Sequence, residues 1–222
     1  MKLAIMASGA GSNAMAIIDK AKKGLLHAEI MLVLSNRAEA PVLDKARNAG
    51  VAVSLIERKK FDSRAAYDHA LIDRLKESGC DTIALAGYML MLGREFLEAF
   101  PNRVINIHPS LLPAFPGTEG AASALAYGVK IGGPSVHFVS EEMDMGPLVI
   151  QAALPVKSEE TLQEYRTRIH AMEHRIYPQA LQWLSEDRLS INGRIVSLKP
   201  GSRKQIKPDG EWFVWPPLEE GF

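Results

Sequence analysis

Three polar residues in the second half of the chain have the types and spacing that acyl transfer requires. Asn106 and His108 stand two positions apart at the end of an apolar stretch, so on a strand both side chains point the same way. Asp144 follows another strand-like stretch, in a turn fixed by Gly146 and Pro147. An amide and an imidazolium can hold the charge of a tetrahedral intermediate, and a carboxylate orients the imidazole and favours its protonated form. The set suits acyl transfer to an amine, which needs no serine or cysteine nucleophile.

Each of these residues also has a purely structural interpretation. The histidine can be a satisfied core or surface residue, the asparagine a turn former and the aspartate a solvated loop charge. A metal site built from His108, His137 and nearby carboxylates is a further alternative, although no metal-ligand spacing supports it.

A glycine-rich loop follows the first strand-like stretch. It reads SGAGSN over residues 8–13 and opens a helix, where free amide groups favour an anion, so it predicts a phosphate site. The alternative is a structural turn with Ser12 or Asn13 as a helix cap. The loop is not a P-loop, and Ala14 occupies the last position of a G-x-G-x-x-G pattern. The second strand is followed by Ser35-Asn36-Arg37, without the acidic residue that would hold an NAD ribose, so a mononucleotide phosphate fits better than a dinucleotide; the alternative is a dinucleotide whose 2′-phosphate binds Arg37.

Strand-like and helix-like stretches alternate along the first half of the chain. This order predicts an α/β fold with a doubly wound, mostly parallel sheet flanked by helices and a Rossmann-like N-terminal half. We expect one domain over residues 1–222, in which 1–100 bind the nucleotide phosphate, 101–187 carry catalysis and 188–222 form a C-terminal hairpin and tail.

Local signals predict several element boundaries. We expect Asp62 to cap a helix that runs through Ser78. Thr161 and Glu164 form a capping box for a long helix, which Pro178 should bend or divide. The Asn192-Gly193 pair predicts a hairpin. The tail aromatics are expected to pack onto the body of the protein; they are Trp212, Phe213 and Trp215.

Composition limits the classes of partner. The chain of 222 residues balances 26 basic against 26 acidic side chains, so no net field attracts nucleic acid or an anionic membrane. No stretch is apolar and long enough to span a bilayer. Cys80 is the single cysteine, which excludes an intrachain disulfide and favours a cytoplasmic location; we expect it to be a small buried hydrophobe.

Five segments together resemble one enzyme family. They are SGAGSN (8–13), LAGYMLML (85–92), NIHPSLLPAFPG (106–117), SVHFV (135–139) and DMGPLVIQ (144–151). In order and spacing they are similar to phosphoribosylglycinamide formyltransferase, the folate-dependent family of purine synthesis. The resemblance implies transfer of the formyl group of 10-formyltetrahydrofolate, without a metal, to the amine of glycinamide ribonucleotide. It further implies small-molecule partners and a monomer or homodimer.

The resemblance also implies site residues. Asn106 and His108 would stabilise the oxyanion. His108 would also donate a proton, and Asp144 would raise the pKa of His108. The acceptor would be bound by Gly11, Ser12 and Asn13 at its phosphate and by His170, Ala171, Met172 and Glu173. The folate would contact Arg64, Met89, Leu90, Met91, Leu92, Asn106, Ser140, Glu141, Glu142, Met143 and Asp144. One departure is Glu119, where the family commonly has a histidine; its charge would weaken binding of an anionic substrate or demand a different pose.

Three other functions compete with this interpretation. Formyltetrahydrofolate hydrolase shares the central residues but usually has an additional N-terminal domain, which is not expected here. Methionyl-tRNA formyltransferase would need a further C-terminal domain and a basic RNA-facing surface. A non-catalytic folate or nucleotide sensor is the third alternative, and an intact set of three polar residues argues against it.

Overall fold

The computed structural model describes residues 1–208 and 210–222, which form two compact units. The first unit contains residues 1–106 and 139–141, and the second contains residues 107–138 and 142–222. Within the described ranges, no helix combines the length and the apolar character that a bilayer crossing requires.

The first unit alternates strands with helices. Its elements are β1 (Lys2–Met6), α1 (Ser12–Lys22), β2 (Glu29–Ser35), α2 (Pro41–Asn48), β3 (Val53–Leu55), a 3-10 turn (Arg58–Lys60), α3 (Arg64–Glu77), β4 (Thr82–Leu85), α4 (Arg94–Ala99) and β5 (Val104–His108), whose last two residues belong to the second unit. The strands are parallel in the order β3-β2-β1-β4-β5. This order reverses direction beside β1, as in one half of a Rossmann fold. The predicted α/β class with a mostly parallel sheet is confirmed.

Buried strands and one helix cap explain how the first unit is built. Residues 3–6 of β1 are fully buried, as expected for a parallel strand covered on both faces. The N-cap of α3 is Ser63, whose Oγ accepts a hydrogen bond from the Ala66 amide at 3.0 Å. The prediction of Asp62 was therefore wrong by one residue, because a cap must reach the third amide of the helix. Cys80 is buried as predicted.

The second unit combines short antiparallel sheets with one long helix. Its elements are α5 (Gly120–Tyr127), β6 (Ile131–Gly132), β7 (Ser135–Phe138), β8 (Leu148–Pro155), α6 (Leu162–Ser185), β9 (Leu189–Asn192), β10 (Ile195–Leu198), β11 (Gln205–Ile206), β12 (Phe213–Trp215) and β13 (Leu218–Glu219). Strand β8 pairs antiparallel with β7, β6 and β12. The predicted hairpin is β9–β10, and because Asn192 pairs with Ile195, its two-residue loop is Gly193-Arg194.

Helix α6 begins with the predicted capping box. The Thr161 hydroxyl accepts from the Glu164 amide, and the Glu164 carboxylate accepts from the Thr161 amide at 2.9 Å. Pro178 does not divide the helix, which continues to Ser185. A proline inside a helix costs roughly 3 kcal/mol; here residues 176–184 are all buried, so tertiary packing offsets that cost.

One of the three predicted tail aromatics packs against the body of the protein: Trp212 is partly buried, and its ring centroid lies 5.3 Å from Cζ of Arg175 on α6. Phe213 and Trp215 are each 64% exposed, so the expectation that they pack onto the body was wrong for both. The buried anchors are Val214, Leu218 and Phe222. The reason is strand alternation: β12 turns Val214 inward, and its two neighbours therefore face outward.

Candidate functional site

The second unit brings His108 and Asp144 together. His108 ends β5, and its Nδ1 lies 3.4 Å from Oδ2 of Asp144, with 5% and 10% of the two side chains exposed. On the other side of the ring, Nε2 lies 2.9 Å from the carbonyl oxygen of Phe115. Since a carbonyl only accepts, this hydrogen bond requires a proton on Nε2. Asn106 stands two positions earlier on the same strand and is partly exposed.

The protonation of His108 is set by opposing effects. Burial lowers the pKa of the imidazole below its ordinary value, and the Phe115 carbonyl and the Asp144 carboxylate offset only part of that effect. Asp144 therefore raises the pKa of His108, as expected, but burial lowers that pKa by more. A lowered pKa makes the protonated ring a stronger acid than a free imidazolium.

More groups hold Asp144 in place than hold His108. Its backbone has a positive φ of 54°, and its Oδ2 accepts a hydrogen bond from the Gly117 amide at 2.7 Å. Oδ1 lies 3.6 Å from Nε2 of His137. Burial alone would raise the pKa of Asp144, but His137, the Gly117 amide and His108 together bring it below its usual value. The carboxylate is therefore ionised at neutral pH.

His137 lies against the His108–Asp144 pair, and the sequence had suggested it only as a ligand of the alternative metal site. It is buried on β7, and its Nδ1 contacts the Phe138 carbonyl oxygen at 2.9 Å, which leaves Nε2 directed at Asp144. The only signal in the sequence was a histidine inside the apolar segment SVHFV.

Helix α5 also lies against His108 and was not predicted. A Cβ atom on Gly120, its first residue, would stand 2.6 Å from Nε2 of His108 and 3.1 Å from the Phe115 carbonyl oxygen. Because this distance is well inside van der Waals contact, only glycine leaves the imidazole in its observed position.

The glycine-rich loop of the first unit has the geometry of a helix start. Gly11 is the N-cap of α1 with a positive φ of 75°, and a Cβ there would collide with the side chain of Val42. Glycine is therefore required both for the backbone angle and for space. Ser8 adds a link that was not predicted: its Oγ bonds Asn36 at 2.6 Å and accepts from the Met89 amide at 3.0 Å. The loop and residues 89–92 are thus tied together at the carboxyl ends of β1 and β4.

A buried carboxylate organises residues 89–92. Asp68 on α3 is buried; both of its oxygens lie 3.1 Å from Nε of Arg64, and Oδ2 accepts from the Gly93 amide at 2.9 Å. Arg64 in turn donates to the carbonyl oxygen of Met91. Arg64 and Met91 were predicted as site residues, whereas Asp68 was missed. Its signal was an acidic residue on the apolar face of a helix, four positions after an arginine.

The remaining predicted residues have mixed environments. In the loop after β7, Glu141, Glu142 and Met143 are exposed and Ser140 is partly buried. On α6, Glu173 is buried and His170 is exposed. Ala171 and Met172, the other two predicted residues of α6, line a cavity of about 390 Å³ beside the tail.

Comparisons with known proteins show the family to which the chain belongs. The model of the formyl transferase family matches residues 1–181. Phosphoribosylglycinamide formyltransferase of Escherichia coli is 39% identical over 192 residues, which cover 86% of this chain and 91% of that protein. The trifunctional purine biosynthetic protein adenosine-3 of Bos taurus is 40% identical over 87% of this chain, but the chain spans only 19% of its length.

Solved structures give the same result. Glycinamide ribonucleotide transformylase 1 from Symbiobacterium toebii superposes with a TM-score of 0.88 at 45% identity, covering 89% of this chain and 93% of that one. Phosphoribosylglycinamide formyltransferase from Coxiella burnetii superposes with a TM-score of 0.85 at 39% identity, over 89% and 93% of the two chains. With a family model that matches most of its length and relatives of this similarity, the chain belongs to the formyl transferase family.

Proposed function

We propose that this protein transfers the formyl group of 10-formyltetrahydrofolate to the amine of glycinamide ribonucleotide, a step of purine synthesis in the cytoplasm. The new bond joins the amine nitrogen to the formyl carbon, and the bond from that carbon to N10 of the folate breaks. The amine loses a proton and N10 gains one. The observation that carries the proposal is the buried contact between His108 and Asp144, on a chain whose relatives bear this activity in their names.

The three central residues divide the chemistry among them. Attack by the amine places negative charge on the formyl oxygen, where the Asn106 amide and the protonated His108 ring act as donors. The ring uses its Nε2 proton, which the Phe115 carbonyl accepts before the substrate binds, while Nδ1 keeps its contact with Asp144. His108 then donates a proton to the departing nitrogen, a role that suits a buried imidazole whose pKa lies below its ordinary value. Asp144 orients the ring and stabilises its charged form.

The two substrates are assigned to separate parts of the chain. Gly11, Ser12 and Asn13 hold the phosphate of the acceptor through amides at the start of α1. Glu173 binds the amino end of the acceptor, together with His170, which lies one turn earlier on α6. The folate contacts Arg64, residues 89–92 and residues 140–144. Both proposed substrates are small molecules. That the protein is a monomer or a homodimer stays a prediction.

Acceptor dependence is the direct test of the proposed reaction. Deformylation of 10-formyltetrahydrofolate, followed by the absorbance change of the folate, should require added glycinamide ribonucleotide and yield one formylated product per folate consumed. Equal turnover in buffer alone would instead indicate a hydrolase. A His108→Ala variant serves as the blank for uncatalysed folate breakdown.

Asp68 provides a second test, directed at the folate site. Asp68→Asn keeps the shape of the side chain but removes the charge that holds Arg64, and with it the support for Met91. We expect the KM for the folate to rise by about ten- to 100-fold, which corresponds to the roughly 1.5–3 kcal/mol of a charged hydrogen bond, while kcat changes little. Steady-state kinetics with each substrate varied in turn measure both constants. Asp73→Asn, an exposed change on the same helix, should leave them unaltered.

A further inference from the structure

Glu119 stands where the family resemblance leads one to expect a histidine, and the structure shows what accompanies it. Its Oε2 lies 3.2 Å from Nη2 of Arg166, 47 residues later on α6. The two side chains are 66% and 42% exposed. Exposed ion pairs add little to stability, so the effect of this pair is local charge compensation and not support of the fold.

Glu119 lies next to the reacting centre. It directly precedes Gly120, whose α-carbon is so close to His108 that an added Cβ would stand 2.6 Å from Nε2. Consecutive α-carbons are about 3.8 Å apart, so the backbone of Glu119 lies within roughly 8 Å of the imidazole. An unpaired carboxylate on Glu119 would repel an acceptor that carries a net negative charge as it approaches this part of the protein.

Arg166 is also aligned with the residues assigned to the acceptor. It precedes His170 by four positions and Glu173 by seven on the same helix, and residues at these spacings share a face. Arg166, His170 and Glu173 therefore lie along one face of α6, and the Arg166 end of that face carries Glu119.

We propose that Arg166 is a positioning residue that holds and neutralises Glu119, so that this protein accepts an anionic, phosphorylated amine despite a glutamate in the segment next to His108. The inference rests on the proposed function, because it concerns the acceptor of that reaction. Arg166 is not required for the chemical step; it lowers the electrostatic cost of binding the acceptor. The glutamate and the arginine act as one unit.

The test is a double-mutant cycle with glycinamide ribonucleotide as the acceptor. Arg166→Gln should raise the KM for the acceptor by about five- to tenfold, with kcat and the KM for the folate within about twofold of wild type. Glu119→Gln should bind the acceptor at least as well as wild type does. The double variant should recover a KM within about twofold of wild type, because both charges are gone. High salt should shrink the defect of the single variant, since exposed charges are screened.

Two controls separate the possible failures. Lys23→Gln removes an exposed cation paired with Asp19 on α1 and should change no constant. If wild type turns over folate only with acceptor but Arg166→Gln has an unchanged KM, the role of the pair is overturned and the proposed function stands. A defect of equal size in the single and double variants also overturns it, because Arg166 would then act independently of Glu119. If wild type shows no acceptor-dependent turnover, the proposed function fails and this inference fails with it.

Discussion

Replacement of Asp144 by asparagine is expected to lower turnover by about three to four orders of magnitude, as in other oriented histidine–aspartate pairs. Asparagine tolerates the left-handed backbone that Asp144 adopts and has nearly the same shape, so the fold should persist. What is lost is the negative charge beside Nδ1 of His108. Single-turnover kinetics, with circular dichroism as a measure of folding, test the expectation.

The pH profile of the same variant gives an independent readout. Burial lowers the pKa of His108 and Asp144 raises it, so removal of the carboxylate lowers that pKa further. If the reaction needs the protonated ring, the falling limb of kcat/KM against pH should move to lower pH. Glu159→Gln, a neutralised exposed carboxylate in the same unit, should leave rate and profile unchanged. A variant at position 144 with near-normal turnover would contradict the role assigned to Asp144.

Gly120→Ala should reduce turnover by about 100-fold through displacement of His108, since misplacement by about 1 Å has effects of this size. The added Cβ would stand 2.6 Å from Nε2 and 3.1 Å from the Phe115 carbonyl oxygen, so the ring must move. The helix itself should tolerate the change, because alanine forms helices more readily than glycine. Loss of activity in a variant that still folds, as judged by circular dichroism, is therefore the expected combination.

The control for this change lies one turn further along α5. Ser123→Ala alters an exposed position of the same helix and should keep full activity. The imidazole resonances of His108, followed by NMR, should shift in the glycine variant and not in the control. Normal turnover with an unmoved resonance would show that the site tolerates a methyl group there.

Much of the first unit could be predicted because its signals are local. The alternation of strand-like and helix-like stretches was visible in the sequence, and the structure shows it as β1 to β5 with helices between the strands. Helix α5 was not predicted because its sequence, GAASALAY, follows a proline-rich loop. Small apolar residues lie on most sides of this helix, so it has no polar face that would indicate it. The capping of α3 by Ser63 was missed because two adjacent residues both had suitable side chains.

The candidate site shows a different limit. Spacing along one strand was enough to place Asn106 beside His108, but the contact of His108 with a residue 36 positions away depends on tertiary structure. The resemblance to a family supplied that partner. Asp68 and His137 were not assigned roles because their importance comes from burial, which residue type alone does not reveal. The pKa of His108 likewise depends on how deeply the ring lies, and a list of neighbouring charges would give the opposite direction.

Strand β12 also has a consequence for the behaviour of the protein at high concentration. It covers one side of β8, and within the described residues no strand pairs with its other side. That free edge is only three residues long, about 10 Å, and Pro216 and Pro217, which follow it, carry no amide hydrogen. A foreign strand would find too few partners to add to the sheet. The tail thus covers residues 151–153 of β8 and presents in their place a short edge that resists edge-to-edge aggregation.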